Sequence, residues 1–312
     1  MDINQSIHLG VEAIKKNKFQ DAEKIFKSLL KEQPLNPEIN HFLGISYQLL
    51  NKVNEALFYY KKTVKIKPDF AEAQKNLGNM YYKSGKVDEA IDHFQKSLKL
   101  NPKLDEAKVN LEVVTDQKKV INWVYENKSK ENNRNKNISI NPFITERKVE
   151  PGLKDQLYKI HTMELNKTGD VRFGNGKCST NMKLFETKNE IIKSAAKDIE
   201  NIVKKIIGSD IYMADSFFNI LGANSGTKPH KHLEPFDKST GLEKQKYSLT
   251  YYISVGDQSG KEPGILKLYD PDEKILPSDG TIVIIPSGRM HSAIYDGKKD
   301  RVMIGINFYS LH

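Results

Sequence analysis

The sequence predicts an α+β chain in two parts, an N-terminal α-solenoid followed by a β-sandwich with helices packed outside it. Three observations carry this. The first 104 residues repeat with a period of 34, short β-branched and aromatic runs dominate from Asp210 onward, and a polar, aperiodic stretch, "NKSKENNRNKN", separates the two patterns. A chain of 312 residues is longer than one typical domain, and 38% hydrophobic residues suffice for a core in each of two.

The repeat is read from five registers that keep the same step: Leu9, Leu43 and Leu77; Gly10, Gly44 and Gly78; Ala22, Ala56 and Ala90; Phe26, Tyr60 and Phe94; Pro34, Pro68 and Pro102. Each unit reads as two amphipathic helices. The small Gly and Ala let the first helix approach the second, and the proline ends the second before the next unit starts. One hairpin cannot bury its apolar face, but three stacked hairpins can. A last helix, "DEAKVNLEVVTDQKKVINWVYEN", caps the stack. With Tyr47 and Tyr81 at the tyrosine position (Ala13 in the first unit), the pattern resembles the tetratricopeptide repeat. Such a solenoid has a concave face suited to a peptide; the plainer alternatives are a spacer or a self-association surface.

The expected boundaries are residues 1–127 for the solenoid with its cap, 128–137 for a linker and 138–312 for the second domain. A flexible linker of about ten residues reaches roughly 15–20 Å. The second domain opens with a strand, "ISINPFI", and a helix starting near "PGLKDQLYKIHTMEL". A second helix, "KNEIIKSAAKDIENIVKKII", is apolar at helical spacing through Ile191, Ile192, Ala195, Ile199, Ile202 and Ile206. Then come five strands: "DSFFNIL", "YSLTYYISV", "GILKLYD", "GTIVIIP" and "RVMIGINFYSL". Five strands after two helices predict a double-stranded β-helix, the jelly-roll type of sandwich, with flanking helices. "FGNGK", residues 173–177, has too few glycines for a phosphate loop and reads as a flexible loop and a candidate lid.

Composition removes several function classes. The net charge is +9, and the short segment 118–148 holds 8 basic and 3 acidic residues, so most of the excess sits in a solvated linker region. No basic stripe with stacking aromatics exists, so no nucleic-acid partner is expected. No apolar run approaches the roughly 18 residues of a membrane span, and the N-terminus lacks the apolar block of a signal peptide. Cys178 is the single cysteine, which excludes an internal disulfide framework or a cysteine-based zinc cluster and fits a reducing cytoplasm.

The stretch "TKPHKHLEPF" places His230, His232 and Glu234 at alternate positions. In an extended strand they share a face, but neighbours on that face stand about 7 Å apart, so two at most reach one metal and another must come from elsewhere. His291 follows the strand "GTIVIIP", and Arg301 comes ten residues later. Two His and a carboxylate with open positions form the facial triad of non-haem Fe(II) oxygenases, and a fixed guanidinium pairs well with the carboxylate of a 2-oxo acid. His8, His41, His93, His161 and His312 have no such spacing and read as surface or packed residues.

Taken together, "PHKHLE", "YSLTYYISV", "DGTIVIIPSGRMH" and Arg301 in "RVMIGINFY" resemble the 2-oxoglutarate- and Fe(II)-dependent oxygenases of the prolyl-4-hydroxylase-like group, over roughly residues 140–312. The resemblance implies Fe(II) and 2-oxoglutarate as cofactors, with ascorbate a further candidate, and a dioxygenase acting on a protein or peptide, proline being the first residue to test. Two registers compete. In one, His232 and Glu234 supply His-x-Glu. In the other, the favoured one, His230 after its proline is the first ligand, and His232 stands where the family has a carboxylate. His291 serves in both, and Arg301 is the expected co-substrate partner. Met303 departs from the family, where many members carry a hydroxyl residue. One of Tyr251 and Tyr252 faces the interior and is a candidate co-substrate donor; Asn219 and Lys267 are weaker candidates. The rival readings are a non-catalytic adaptor and a cupin-like zinc or nickel enzyme that uses no 2-oxo acid.

Overall fold

The computed structural model of the protein describes residues 2–128 and 141–311. The chain divides into two compact units, Met1–Lys119 and Val120–His312. The expected linker lies outside the described residues, apart from Lys128, which ends a helix.

The first unit contains helices α1 (Ile3–Lys15), α2 (Phe19–Glu32), α3 (Pro37–Leu49), α4 (Val53–Ile66), α5 (Ala71–Lys83) and α6 (Val87–Leu100), and the start of α7 (Asp105–Lys128). The conserved step of the repeat is steric. A Cβ added to Gly10, Gly44 or Gly78 would stand 2.5, 2.8 and 2.8 Å from ring atoms of Phe26, Tyr60 and Phe94 respectively. The aromatic ring of the second helix therefore occupies the place a side chain would take on the first. Ala22, Ala56 and Ala90 are fully buried. Pro34 and Pro68 follow the ends of α2 and α4, and their carbonyls accept from Asn40 Nδ2 at 3.2 Å and Gln74 Nε2 at 2.9 Å. The helix α7 covers the last hairpin through Glu106 to Lys75 at 2.7 Å and Asn110 Nδ2 to Asn79 Oδ1 at 2.8 Å.

The second unit holds α8 (Leu153–Tyr158), α9 (Glu190–Ile207), α10 (Pro235–Ser239) and twelve strands among the described residues. These are β1 (Phe143–Glu146), β2 (Thr162–Glu164), β3 (Arg172–Phe173), β4 (Gly176–Ser179), β5 (Ile211–Leu221) and β6 (Ser225–His230), then β7 (Lys246–Ser254), β8 (Pro263–Leu268), β9 (Glu273–Ile275), β10 (Thr281–Pro286), β11 (His291–Tyr295) and β12 (Arg301–Ser310). They form two antiparallel sheets, in the orders β1-β10-β7-β12-β5-β4-β2 and β3-β6-β11-β8-β9.

The central strands of the larger sheet are apolar on both faces, which is why "GTIVIIP" shows no alternation. Ile282, Ile284, Ile304 and Ile306 join Ile192, Ile199 and Val203 of α9 in one core. Val283, Ile285, Met303 and Tyr252 turn the other way and meet Leu266, Leu268 and Tyr295 of the smaller sheet. Consecutive residues point to opposite faces of a strand, and this parity places each side chain.

Three sequence expectations need correction. The helix starting near Pro151 is short and ends at Tyr158, and residues 162–164 return as a strand. The "ISINPFI" strand is shifted: β1 begins at Phe143, and residues 138–140 lie outside the described residues. "FGNGK" is not a free loop. Its ends are strands β3 and β4, one in each sheet, and a Cβ on Gly174, where φ is +85°, would stand 1.9 Å from the Asn224 carbonyl oxygen. That close approach suits glycine.

Candidate metal centre and its cavity

Strands β6 and β11 pair antiparallel with His230 opposite His291. Between His230 and Thr227 the register shifts: two residues pass on β11 while three pass on β6. A β-bulge of this kind re-aims a side chain, and here both Thr227 and His230 line one cavity. His232 lies beyond the end of β6. Its backbone N–H donates to the Ser287 carbonyl at 2.9 Å, and the Ser287 N–H donates to the Lys246 carbonyl at 3.0 Å. The chain then enters α10, whose Asp237 is fully buried and accepts from the Glu234 N–H (2.8 Å), Lys246 Nζ (2.9 Å) and the Tyr309 hydroxyl (2.6 Å). This polar knot fixes the segment that carries His232.

His230, His232 and His291 each offer a ring nitrogen, and these nitrogens lie within 4.8 Å of one another. Ring centroids are 4.3 Å apart for His230 and His291 and 5.0 Å for His232 and His291, with the two Nε2 atoms of the latter pair 3.3 Å apart. His230 Nδ1 sits 2.8 Å from the Lys228 carbonyl oxygen, and His291 Nδ1 3.1 Å from that of Arg289. A carbonyl only accepts, so each Nδ1 carries the proton and each Nε2 presents a lone pair. Burial lowers the pKa of all three imidazoles, with further help from neighbouring histidines for His232 and His291; that of His291 falls to about 4. All three are therefore neutral at pH 7, the form that binds a metal. Three imidazoles suit iron, zinc, copper or nickel. The residues present fit such an ion.

Glu234 stands outside this group. It is the N-cap of α10, where its backbone carbonyl accepts from the Asp237 N–H at 3.1 Å; its side chain lines the same cavity, and burial raises its pKa. Arg301 differs from its expected role. It is fully buried, donates from Nε to the Val255 carbonyl (3.2 Å), from Nη1 to Gly264 and from Nη2 to Pro263 (2.8 Å), and stacks on Tyr295 and Tyr252. It is not among the cavity-lining residues. Tyr252 lines the cavity, whereas Tyr251 points into the core beside α9, its hydroxyl accepting from Arg147 Nη1 at 3.0 Å. Tyr251 is thus removed from the site by strand parity. Lys267 pairs with Glu262 at 3.3 Å and lies off the cavity, while Asn219 lines it.

The cavity, of about 370 Å³, lies between the sheets, and the three histidines line it. Its polar wall includes Asp215, Ser248 and Asn307, joined by Asn307 Nδ2 to Asp215 at 3.1 Å and Ser248 Oγ to Asn307 at 2.8 Å. Sequence reasoning missed these residues, and it missed Arg172, also in the wall. For Ser248 and Asn307 the signal was present, since each shares the cavity-facing parity of Tyr252 or Met303 on its strand. Nothing local marks Arg172.

Two family models, both described as tetratricopeptide repeat, match residues 37–70 and 71–104. Residues 37–104 are tetratricopeptide repeats. No curated protein matches the chain. Among solved structures, a mutant O-GlcNAc transferase of Thermobaculum terrenum is 26% identical over 36% of this chain and 22% of its own, with a TM-score of 0.35. This chain thus spans only about a fifth of that transferase. The first TPR of Spaghetti (RPAP3), bound to an HSP90 peptide, is 20% identical over 37% of this chain and 91% of its own, with a TM-score of 0.36. The type III secretion chaperone SycD of Yersinia enterocolitica, in complex with a peptide of the translocator YopD, is 16% identical over 37% of this chain and 93% of its own, with a TM-score of 0.35.

Proposed function

We propose that the second unit is a mononuclear metal enzyme, an Fe(II)- and 2-oxoglutarate-dependent dioxygenase that hydroxylates a protein or peptide, and that the tetratricopeptide repeats bind that polypeptide. The observation that carries the reading is the convergence of His230, His232 and His291 on one cavity, two of them oriented by backbone carbonyls. The two antiparallel sheets are read as a double-stranded β-helix, and the choice of iron and of a 2-oxo acid rests on the sequence resemblance. Bound there, Fe(II) would supply oxygen activation coupled to decarboxylation of the 2-oxo acid. The chain's own part is positioning and exclusion of water. Leu221, Leu266, Val283, Ile285 and Met303 give the cavity an apolar wall.

On the first unit, Gln48, Asn79, Tyr82, Lys83 and Asn110 line a groove whose amides and hydroxyl suit the backbone of an extended polypeptide. A single buried cysteine, Cys178, is consistent with a reducing cytoplasm, and no helix among the described residues is long and apolar enough to cross a membrane.

A second reading is favoured by two observations: the histidine group contains no carboxylate, and Arg301 is sealed away from the cavity. On it, the unit is a cupin-like metal protein that uses no 2-oxo acid. The test loads the full chain with Fe(II) under anaerobic conditions and follows oxygen-dependent release of succinate from 2-oxoglutarate. Slow substrate-free turnover is the expected result. Metal binding with neither 2-oxoglutarate binding nor turnover shifts the assignment to the second reading, and failure to hold any metal leaves a non-catalytic adaptor.

A further inference from the structure

We infer that Arg172, and not Arg301, anchors the carboxylate of the 2-oxo acid; the inference rests on the dioxygenase reading above. Among the described residues, Arg172 supplies the one guanidinium in the cavity wall, where the other cationic side chain is that of Lys231. Arg172 belongs to β3, which pairs with β6 so that Arg172 lies opposite Thr227. Thr227 stands three positions before His230 on the same strand, a span of about 10 Å at roughly 3.3 Å per residue. Arg172 therefore sits on the strand next to the one that ends in His230.

The side chain also crosses between the sheets. Nη1 donates to Asn219 Oδ1 on β5 at 3.3 Å, and Nε and Nη2 donate to Asp170, with Nε 2.9 Å from Oδ2. A guanidinium has five N–H groups. These bonds occupy three, and they leave one on each terminal nitrogen for an incoming carboxylate to accept. The Asn219 bond commits its oxygen, so its amide nitrogen remains as a further donor in the wall. Asp170 fixes the other edge of the guanidinium. The Arg172 side chain is 17% exposed, open enough for a ligand to reach. Arg301 offers the same chemistry with no access: its three bonds run to backbone carbonyls, tyrosine rings flank it, and it has no surface on the cavity.

The experiment is calorimetry of 2-oxoglutarate binding to full-length protein saturated with Mn(II), which holds the metal site without turnover. Arg172→Gln should weaken 2-oxoglutarate by about 10- to 150-fold, the range for one charged hydrogen-bonding group. Arg172→Lys should fall between, because it keeps the charge and loses the planar guanidinium. Mn(II) affinity measured alone should match wild type in both variants, which separates an anchoring role from loss of fold. If the glutamine variant loses Mn(II), the lysine variant carries the comparison. Wild-type affinity for 2-oxoglutarate in the Mn(II)-competent variants overturns the inference and leaves the dioxygenase reading standing. A wild-type protein that binds Mn(II) but no 2-oxoglutarate overturns both.

Discussion

In the repeat unit the decisive contacts join residues one helix apart: Gly44 meets the Tyr60 ring, and Gly78 meets that of Phe94. In the sheet unit His232 meets His291 across 59 positions, and Tyr309 meets Asp237 across 72. Each repeat touches its neighbours alone, so damage there stays in one or two hairpins. The histidine site instead draws on β6, β11 and the segment leading into α10, which is held in turn by β7 and β12. Disturbing any of these strands moves the site. The contrast separates a surface that tolerates change from a centre that depends on the whole sandwich.

The largest expected effect that tests this contrast comes from Arg301→Ala. It leaves three backbone carbonyls without their donor in a closed interior and opens a void between Tyr252 and Tyr295. A loss of about 3–5 kcal/mol is expected. Chemical denaturation should show it together with reduced metal binding. A stable variant that binds metal normally would show that the sandwich is less interdependent than argued.

Acid should act next, and on the repeats. Burial lowers the His41 pKa from 6.5 to about 4. Between those values the unfolded chain binds a proton that the folded chain refuses, so stability is full above pH 6.5 and falls as the pH drops towards 4. The limit of that loss is about 3 kcal/mol for a shift of this size. In His41→Gln, which can still bond Asn76, the slope of repeat-unit stability against pH should shrink. An identical slope in the two proteins would assign the acid sensitivity to other groups.

A smaller local effect should follow Gly44→Ala, whose new methyl must push the Tyr60 ring aside. Strain less the helical gain of alanine gives about 1–2 kcal/mol. Metal affinity should not change, and a change would mean that the repeats bear on the second site. Tyr251→Phe should matter least. It removes one hydrogen bond from Arg147, worth about 1 kcal/mol, and should leave 2-oxoglutarate affinity untouched. Weakened 2-oxoglutarate binding in that variant would contradict the strand parity that turns Tyr251 away from the cavity.

The repeats were legible because their constraint is local and written more than once. Gly10, Gly44 and Gly78 mark the same steric contact, and the step between them gives the helices their lengths. The apolar strands β5, β7, β8, β10 and β12 were legible for a similar reason, since burial gives an alternating run on one face and a continuous run on both. Strands β11 and β3 were not read as strands, and the end of β6 was read only as an extended segment, because they hold few β-branched and aromatic residues in series. The histidines stood out through spacing. What spacing could not show was the bulge that turns His230 inward, the start of α10 at Glu234, and the backbone carbonyls that bind Arg301. Each of these depends on main-chain groups, which carry no residue-specific mark in a sequence.

The claim at the centre of this account is a metal held by three histidines without Glu234. Equilibrium titration of the full chain with Fe(II) or Co(II) under anaerobic conditions tests it most directly. The comparison is between wild type and the variants His230→Ala, His232→Ala, His291→Ala and Glu234→Ala. One ion per wild-type chain is expected. Each histidine variant should lose it or hold it far more weakly, and Glu234→Ala should stay near wild-type affinity. Metal loss in Glu234→Ala with retention in His230→Ala would contradict the account and place the site on His232, Glu234 and His291.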